Sequence, residues 1–391
     1  MEATTYHADV CNYLSAREPD LWRWGALSTQ DDLQQVRLHL LKTTYQLSLK
    51  AHPELHAAAA RAAQALGITP AISLYQSNDG GFANVAVYTA PGEAHIIFQG
   101  TVLGMLNGAE IDAVLGHELA HYLLWQRDGQ RYWIASRILE RLALEESPPG
   151  VWASTAIRYQ QYTEIYADRG AYALCRDIGP CVASLVKIQT GAPTVHLDSY
   201  LQQAERILAH DSVAGEQAGH PQNFIRTRAL ALHADGAEGI DAALALLLAG
   251  PLNLNRLDIL DQLELHRLTR RVLAQLLAPA WFASDSVLAL ARRYYADFQP
   301  GEATANGACA LPPGHQLSEF FSFVLLDFAC VDPSLDDLPL AGALRMADHL
   351  GIGETFDALL LKETGIKKAA LTKLKAARDD LLARATTSIA P

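Results

Sequence analysis

No run of the 391-residue sequence is apolar for long enough to cross a bilayer: the longest, 242–249 and 320–326, fall well short of the ~20 residues a span needs. The opening MEATTYHADV is polar and mixed, without the basic-then-apolar order of a secretory leader, so a cytoplasmic location is expected. Cysteine is sparse and unpatterned. Cys11, Cys175, Cys181, Cys309 and Cys330 contain no C-x-x-C pair, which argues against a disulfide framework and for reduced thiols. Cys175 and Cys181 read as buried free thiols in preference to metal ligands. Basic charge is also short, with 31 Lys and Arg against 43 Asp and Glu, and the net charge of −12 disfavours a general nucleic-acid role. No internal repeat or low-complexity tract is evident. What remains is a chain half apolar and only 19% charged, which suits folded globular structure over disorder and has the length for two or three domains.

The most informative stretch is AEIDAVLGHELAHYLLWQ, residues 109–126. As a helix it projects His117 and His121, four residues apart, from one face, with Glu118 one position round. This H-E-x-x-H pattern suits a zinc site: two neutral imidazoles and a third protein ligand leave one position open for water, and the glutamate takes the water's proton. An ordinary amphipathic helix with two surface histidines carries the same letters, so the rest of the chain has to decide.

Residues 1–28 read as irregular, with Trp22 and Trp24 packing onto the next domain. A helix is expected over 31–51 and an alanine-rich one from Pro53 to Gly67. The runs 71–75, 82–89 and 94–98, separated by Asn78-Asp79-Gly80-Gly81 and Pro91-Gly92, predict a small antiparallel meander. Its middle strand carries Asn84, which either lies beside a site where an extended peptide pairs or simply closes a turn. Asn107 and Glu110 form a capping box for the histidine helix, and Gly116 permits close approach of a neighbour. Another helix is expected over 132–146, and over 156–176 a helix places Glu164 and Asp168 on one face. Glu164 is a candidate third ligand and Asp168 a candidate partner for a ligating imidazole's free N–H. Solvated surface charges flanked by Arg158 and Arg169 are the alternative.

Together these pieces resemble the HtpX and CAAX-prenyl-protease-like gluzincin metallopeptidases, over roughly residues 30–235. The resemblance is carried by GHELAH at 116–121, EIYADRGA at 164–171, the strand around Asn84 (with Val85 where alanine is more usual), and His220-Pro221 followed by Arg226 and Leu230. It implies a mainly helical α+β fold: an N-terminal extension (1–30), a zincin-type core (31–235) with a small antiparallel sheet, and an all-α C-terminal region (236–391). It implies one catalytic Zn2+ held by His117, His121 and Glu164, Glu118 as general base, Asp168 behind a ligand, His220 near the open side of the metal, and Arg226 anchoring its segment or binding substrate. His220 there would hydrogen-bond the developing oxyanion or cap the metal at rest. Unlike membrane-embedded members, this sequence lacks spanning helices, so their membrane and prenylated substrates are not carried over. The interval 190–219 is expected to form a mobile cover over the cleft.

Beyond residue 232 the sequence reads as helical throughout, with a loop over 299–316. Residues 325–352, within a region of about 316–391, resemble the TerB-like helical domain of tellurite-resistance and stress-response proteins. The acidic turn is present as Asp332-Pro333 and Asp336-Asp337, but the usual glycine and glutamate are missing, so these carboxylates read as solvated. Lys367, Lys368, Lys373 and Lys375 likewise read as a solvated face. The expectation is a zinc endopeptidase acting on proteins or peptides, latent or regulated in a stress or defence setting, with a regulatory partner reached through the helical C-terminal domain. A catalytically silent zinc-stabilised scaffold is the alternative, disfavoured because a structural site has no use for Glu118.

Overall fold

The computed structural model describes residues 1–27, 33–78, 82–210, 220–236, 238–301, 310–312 and 314–387. The chain divides into two compact units, Met1–Gly250 and Pro251–Pro391.

The first unit opens with two helices, α1 (Thr5–Arg17) and α2 (Pro19–Leu27), where sequence reading expects irregular chain. Thr4 caps α1 by accepting from the His7 N–H, and Pro19 at its first position starts α2. Trp24 stays 41% exposed; the residue that α2 buries is Gly25, whose missing side chain makes room for Ile134 and Ile138. The expected long helix over 31–51 is shorter, as α3 (Leu33–Thr43), and gives way to the strand β1 (Tyr45–Gln46). Then follow α4 (Pro53–Leu66), closed by Gly67 at φ 67°, and the strands β2 (Ala71–Ser77), β3 (Asn84–Ala90) and β4 (Glu93–Gln99).

The sheet is mixed, in the order β1-β2-β4-β3, and not the antiparallel meander expected. β3 and β4 form the hairpin that Pro91-Gly92 predicts, but β2 lies parallel to β4. The reason is burial. Ala94, Ile96 and Phe98 on β4 are fully buried, so the most buried strand takes a central place and β3 is left at an edge. Of the turn before β3, Asp79, Gly80 and Gly81 lie outside the described residues.

A short helix, α5 (Val102–Met105), leads to α6 (Gly108–Gln126), which begins with the expected capping box between Asn107 and Glu110. Then come α7 (Arg131–Glu145), α8 (Val151–Cys175), α9 (Ile178–Thr190), α10 (Leu197–His210), α11 (Asn223–Ala234) and α12 (Ile240–Ala249). The expected cover over 190–219 is therefore largely α10, a helix packed on α11; residues 211–219 lie outside the described residues. α10 alternates apolar and polar positions at helical spacing, and that period outweighs the glycines and proline around it.

α6 and α8 form the main helix pair. α4 packs on α6 through Ala58, Ala59, Ala62 and Ala63, whose small side chains let the two helices lie close. α1 braces α8 through His7, fully buried among Tyr132, Tyr159, Tyr162 and Tyr166. Thr163 donates its hydroxyl proton to the Tyr159 carbonyl at 2.9 Å, so His7 Nε2 carries the hydrogen that bridges to Thr163 Oγ1 at 3.0 Å. His7 Nδ1 then accepts from Thr4 Oγ1 at 2.7 Å.

The second unit is helical: α13 (Ile259–Leu276), α14 (Asp285–Tyr294), α15 (His315–Ala329), α16 (Leu338–His349), α17 (Gly353–Glu363) and α18 (Lys368–Thr387). Its own core centres on Phe282, Phe298, Phe321, Phe328 and Phe356. Residues 302–309 and 313 of the expected loop lie outside the described residues. Among the described residues no helix is long and apolar enough to cross a membrane.

Burial lowers the pKa of His7 from 6.5 to about 3, with the nearby Arg169 charge adding to the effect. The unfolded chain takes up a proton below pH 6.5 that the native state refuses, so stability must fall as pH drops through this window. Between neutrality and pH 5 the loss is about 2 kcal/mol. Denaturant titrations at pH 7.5 and 5 should show it in the wild type and not in His7→Gln; equal pH dependence of the two proteins refutes it.

Candidate metal centre and its cleft

The centre is built where α6 crosses α8. Gly116 and Gly170 meet there, backbone against backbone: a Cβ on Gly116 would lie 2.8 Å from the Gly170 carbonyl oxygen. One on Gly170 would lie 2.3 Å from the Ala120 Cβ. The two glycines permit an approach no side chain allows, and it brings the histidine face of α6 against the carboxylates of α8. Sequence reading singled out Gly116 but not its partner, although Gly170 follows Asp168 by two residues in the EIYADRGA stretch.

His117, His121 and Glu164 converge, with one ligand atom from each lying within 4.8 Å of the others. The Nε2 atoms of His117 and His121 are 3.2 Å apart. Glu164 places Oε2 3.6 Å from His117 Nε2 and Oε1 3.7 Å from His121 Nε2. In a tetrahedral zinc shell, bonds of about 2.0–2.1 Å set ligand atoms about 3.4 Å from one another, so the donor set fits zinc in kind and spacing. His117 Nδ1 lies 3.0 Å from Asp168 Oδ1, which holds the proton on Nδ1 and turns the Nε2 lone pair towards the other donors.

Charge is managed by Arg226, carried by α11 and 7% exposed. Its Nε donates to Asp168 Oδ2 at 2.8 Å and its Nη2 to Asp168 Oδ1 at 2.5 Å, while Nη1 approaches Glu164 Oε2 at 3.3 Å. Burial alone would raise both carboxyls, but the guanidinium beside them outweighs it; Asp168 is lowered and Glu164 falls well below the carboxylate range. Burial, reinforced by the neighbouring His117, lowers His121 to about 4, leaving a neutral imidazole. Burial also pushes Glu118 up to about 7. His220 sits at the mouth, its side chain 69% exposed and its Nδ1 3.4 Å from Glu164 Oε2.

The centre opens into a cleft of about 620 Å³. Asn84, Val85, Ala86 and Val87 of β3 line it opposite α6, so Asn84 opens an edge strand at the cleft. α9 contributes another wall, with Cys181, Ser184, Leu185 and Ile188. That wall is tied to the start of α6 by Lys187, buried with its Nζ 2.9 Å from Glu110. Trp125 closes one end, stacked near His121 and edge-on to Trp133. Sequence reading missed this wall and Trp125. The spacing offered a signal for the tryptophan, which follows His121 by four residues and so shares its helix face; the α9 residues carry no signal short of the tertiary packing.

An H-E-x-x-H helix, a later glutamate and a cleft edged by a strand define a zinc metallopeptidase. The family model described as Peptidase family M48 matches residues 50–264, over half of the chain, and the chain belongs to that family. No curated protein and no solved structure matches it in the corresponding comparisons.

If the glycine crossing sets the donor geometry, Gly170→Ala should cost about 3 kcal/mol of stability from overpacking and weaken zinc retention. Urea unfolding and zinc content after dialysis check this. A variant with wild-type stability and full zinc would show that α6 and α8 have room to spare.

Proposed function

We propose that the chain is a zinc-dependent endopeptidase cleaving extended segments of protein substrates, with Glu118 as general base and His220 as a hydrogen-bond donor to the oxyanion. The observation that carries this reading is the convergence of His117, His121 and Glu164 beside a buried Glu118 on the wall of a strand-edged cleft. His117, His121 and Glu164 would hold a zinc ion, which when bound would supply Lewis acidity towards the scissile carbonyl and water.

The remaining work falls to the chain. A substrate strand pairs with the edge of β3 that no other described strand occupies, along Asn84–Val87, using backbone hydrogen bonds that ask for no particular sequence. Glu118 accepts a proton from the attacking water and returns it to the leaving amine, a task suited to a carboxyl whose pKa burial has raised to about 7. His220, exposed at the mouth, donates to the oxygen on which negative charge develops. Asp168 keeps His117 in the metal-binding tautomer, and Arg226 holds Asp168 and Glu164 ionised. The likeness of residues 316–391 to TerB-like domains supports giving the second unit a recruiting or regulatory role, in a stress or defence setting, that keeps the peptidase latent until a partner engages.

Glu118→Gln should retain one zinc per chain and lose peptide cleavage by a factor of about 10²–10⁴, because the ligands survive and the base does not. Cleavage assays paired with metal analysis test this. Undiminished cleavage would refute the mechanism, and an inactive wild type that still holds zinc, with or without its second unit, would favour a scaffold.

A further inference from the structure

The corner between α8 and α9 holds a feature that the peptidase reading leaves unused. Cys175 is the last residue of α8 and Cys181 lies in the first turns of α9, with the chain reversed between them at Arg176, whose φ is 54°. Both thiols are free, and Cys175 packs against the apolar cluster that contains Cys181. Their environments differ. Cys181 is 2% exposed, lines the cleft and donates to the Asp177 carbonyl at 3.4 Å; Cys175 is only half-buried and donates to the Ala109 carbonyl at the start of α6, at 3.7 Å.

We infer that Cys175 and Cys181 form a reversible disulfide that staples α8 to α9 when the protein meets a peroxide. The thiolate of Cys175, reachable from solvent, attacks one peroxide oxygen; the O–O bond breaks, hydroxide leaves and Cys175 becomes a sulfenic acid. The Cys181 sulfur then attacks the Cys175 sulfur, the S–O bond breaks and water leaves. In sum, two thiols and one hydrogen peroxide give one disulfide and two waters. The order is set by asymmetry of access: a peroxide reaches the half-buried Cys175 from solvent, while Cys181 is 2% exposed. Cys175 is therefore the attacking thiol and Cys181 the resolving one.

The bond would join the helix that carries Glu164 and Asp168 to the helix that forms a cleft wall, across a corner already in contact. It should stabilise the native state without displacing either helix. The site does not depend on the peptidase activity, so its failure and that of the catalytic reading are separable.

The test is to treat the native full-length protein with hydrogen peroxide, block free thiols, digest it and map linkages by mass spectrometry. The expected product is a peptide pair joined through Cys175 and Cys181, lighter by two hydrogens and released by reductant. It should be absent from Cys175→Ser and Cys175→Ala, which alter only the half-buried position. Melting of the treated wild type should rise by a few degrees and return on reduction, with no rise in either variant. Exposed Cys330 serves as the internal control. Oxidation of Cys330 while Cys175 and Cys181 stay free overturns the proposal, as does a link that forms only in denaturant.

Discussion

Everything at the centre depends on two helices lying closer than side chains allow. Gly116 and Gly170 put the α6 and α8 backbones in contact, and Ala120 occupies the one remaining gap. His117 follows Gly116 directly and Asp168 precedes Gly170 by two, so the contact itself sets their 3.0 Å separation. The surrounding elements brace this pair from different sides. α4 packs on α6 with a run of buried alanines, α9 ties the first turn of α6 through Lys187 and Glu110, and α1 grips α8 through His7 and Thr163. Such bracing matters because a donor set displaced by an ångström or so loses much of its affinity or activity.

The electrostatics follow from the same packing. Glu118, Glu164 and Asp168 are all buried within one site, and Arg226 is the buried cation placed among them. Burial pushes Glu118 up towards neutrality, with the Glu164 charge adding to it, while Glu164 and Asp168 beside the guanidinium stay ionised. The result is a pocket with an excess of negative charge and two imidazole nitrogens turned inward, which is the complement of a divalent cation with a taste for nitrogen. Arg226 therefore acts at one remove. By holding Asp168 it fixes the His117 tautomer, and by approaching Glu164 it keeps that carboxylate ionised.

Much of this was legible from the sequence because the signals are local. Helical spacing alone pairs His117 with His121 and Glu164 with Asp168, and the Asn107–Glu110 capping box fixes where α6 begins. Glu164 is already a candidate third ligand, the family resemblance adds His220 and Arg226, and the structure brings all of them to the histidine pair. What could not be read was set by distant partners. Residues 1–27 show weak periodicity, yet they fold as helices because α7 and α8 offer them a surface, with Gly25 fitting over Ile134 and Ile138. The α9 wall of the cleft and the Lys187–Glu110 pair join residues remote in sequence. No window of a dozen residues contains Lys187 with Glu110, or the α9 wall with the β3 and α6 residues that share its cleft.

The sheet is where the local rules misled, and the error bears on function. Turn residues on both sides of 82–90 favour a meander, in which that strand would lie in the middle with both edges paired. A strand so placed would have no backbone groups to offer a substrate. Instead β2 pairs parallel to β4, and the buried Ala94, Ile96 and Phe98 draw β4 into the centre. β3 is thereby displaced to the edge, with Asn84 at its first position and the cleft alongside. The burial demand of one strand thus decides which neighbour keeps a free edge. An unpaired edge is ordinarily a liability that proteins cover or blunt. Beside a metal centre it becomes a template, and the parallel pairing of β2 with β4 is what leaves it available.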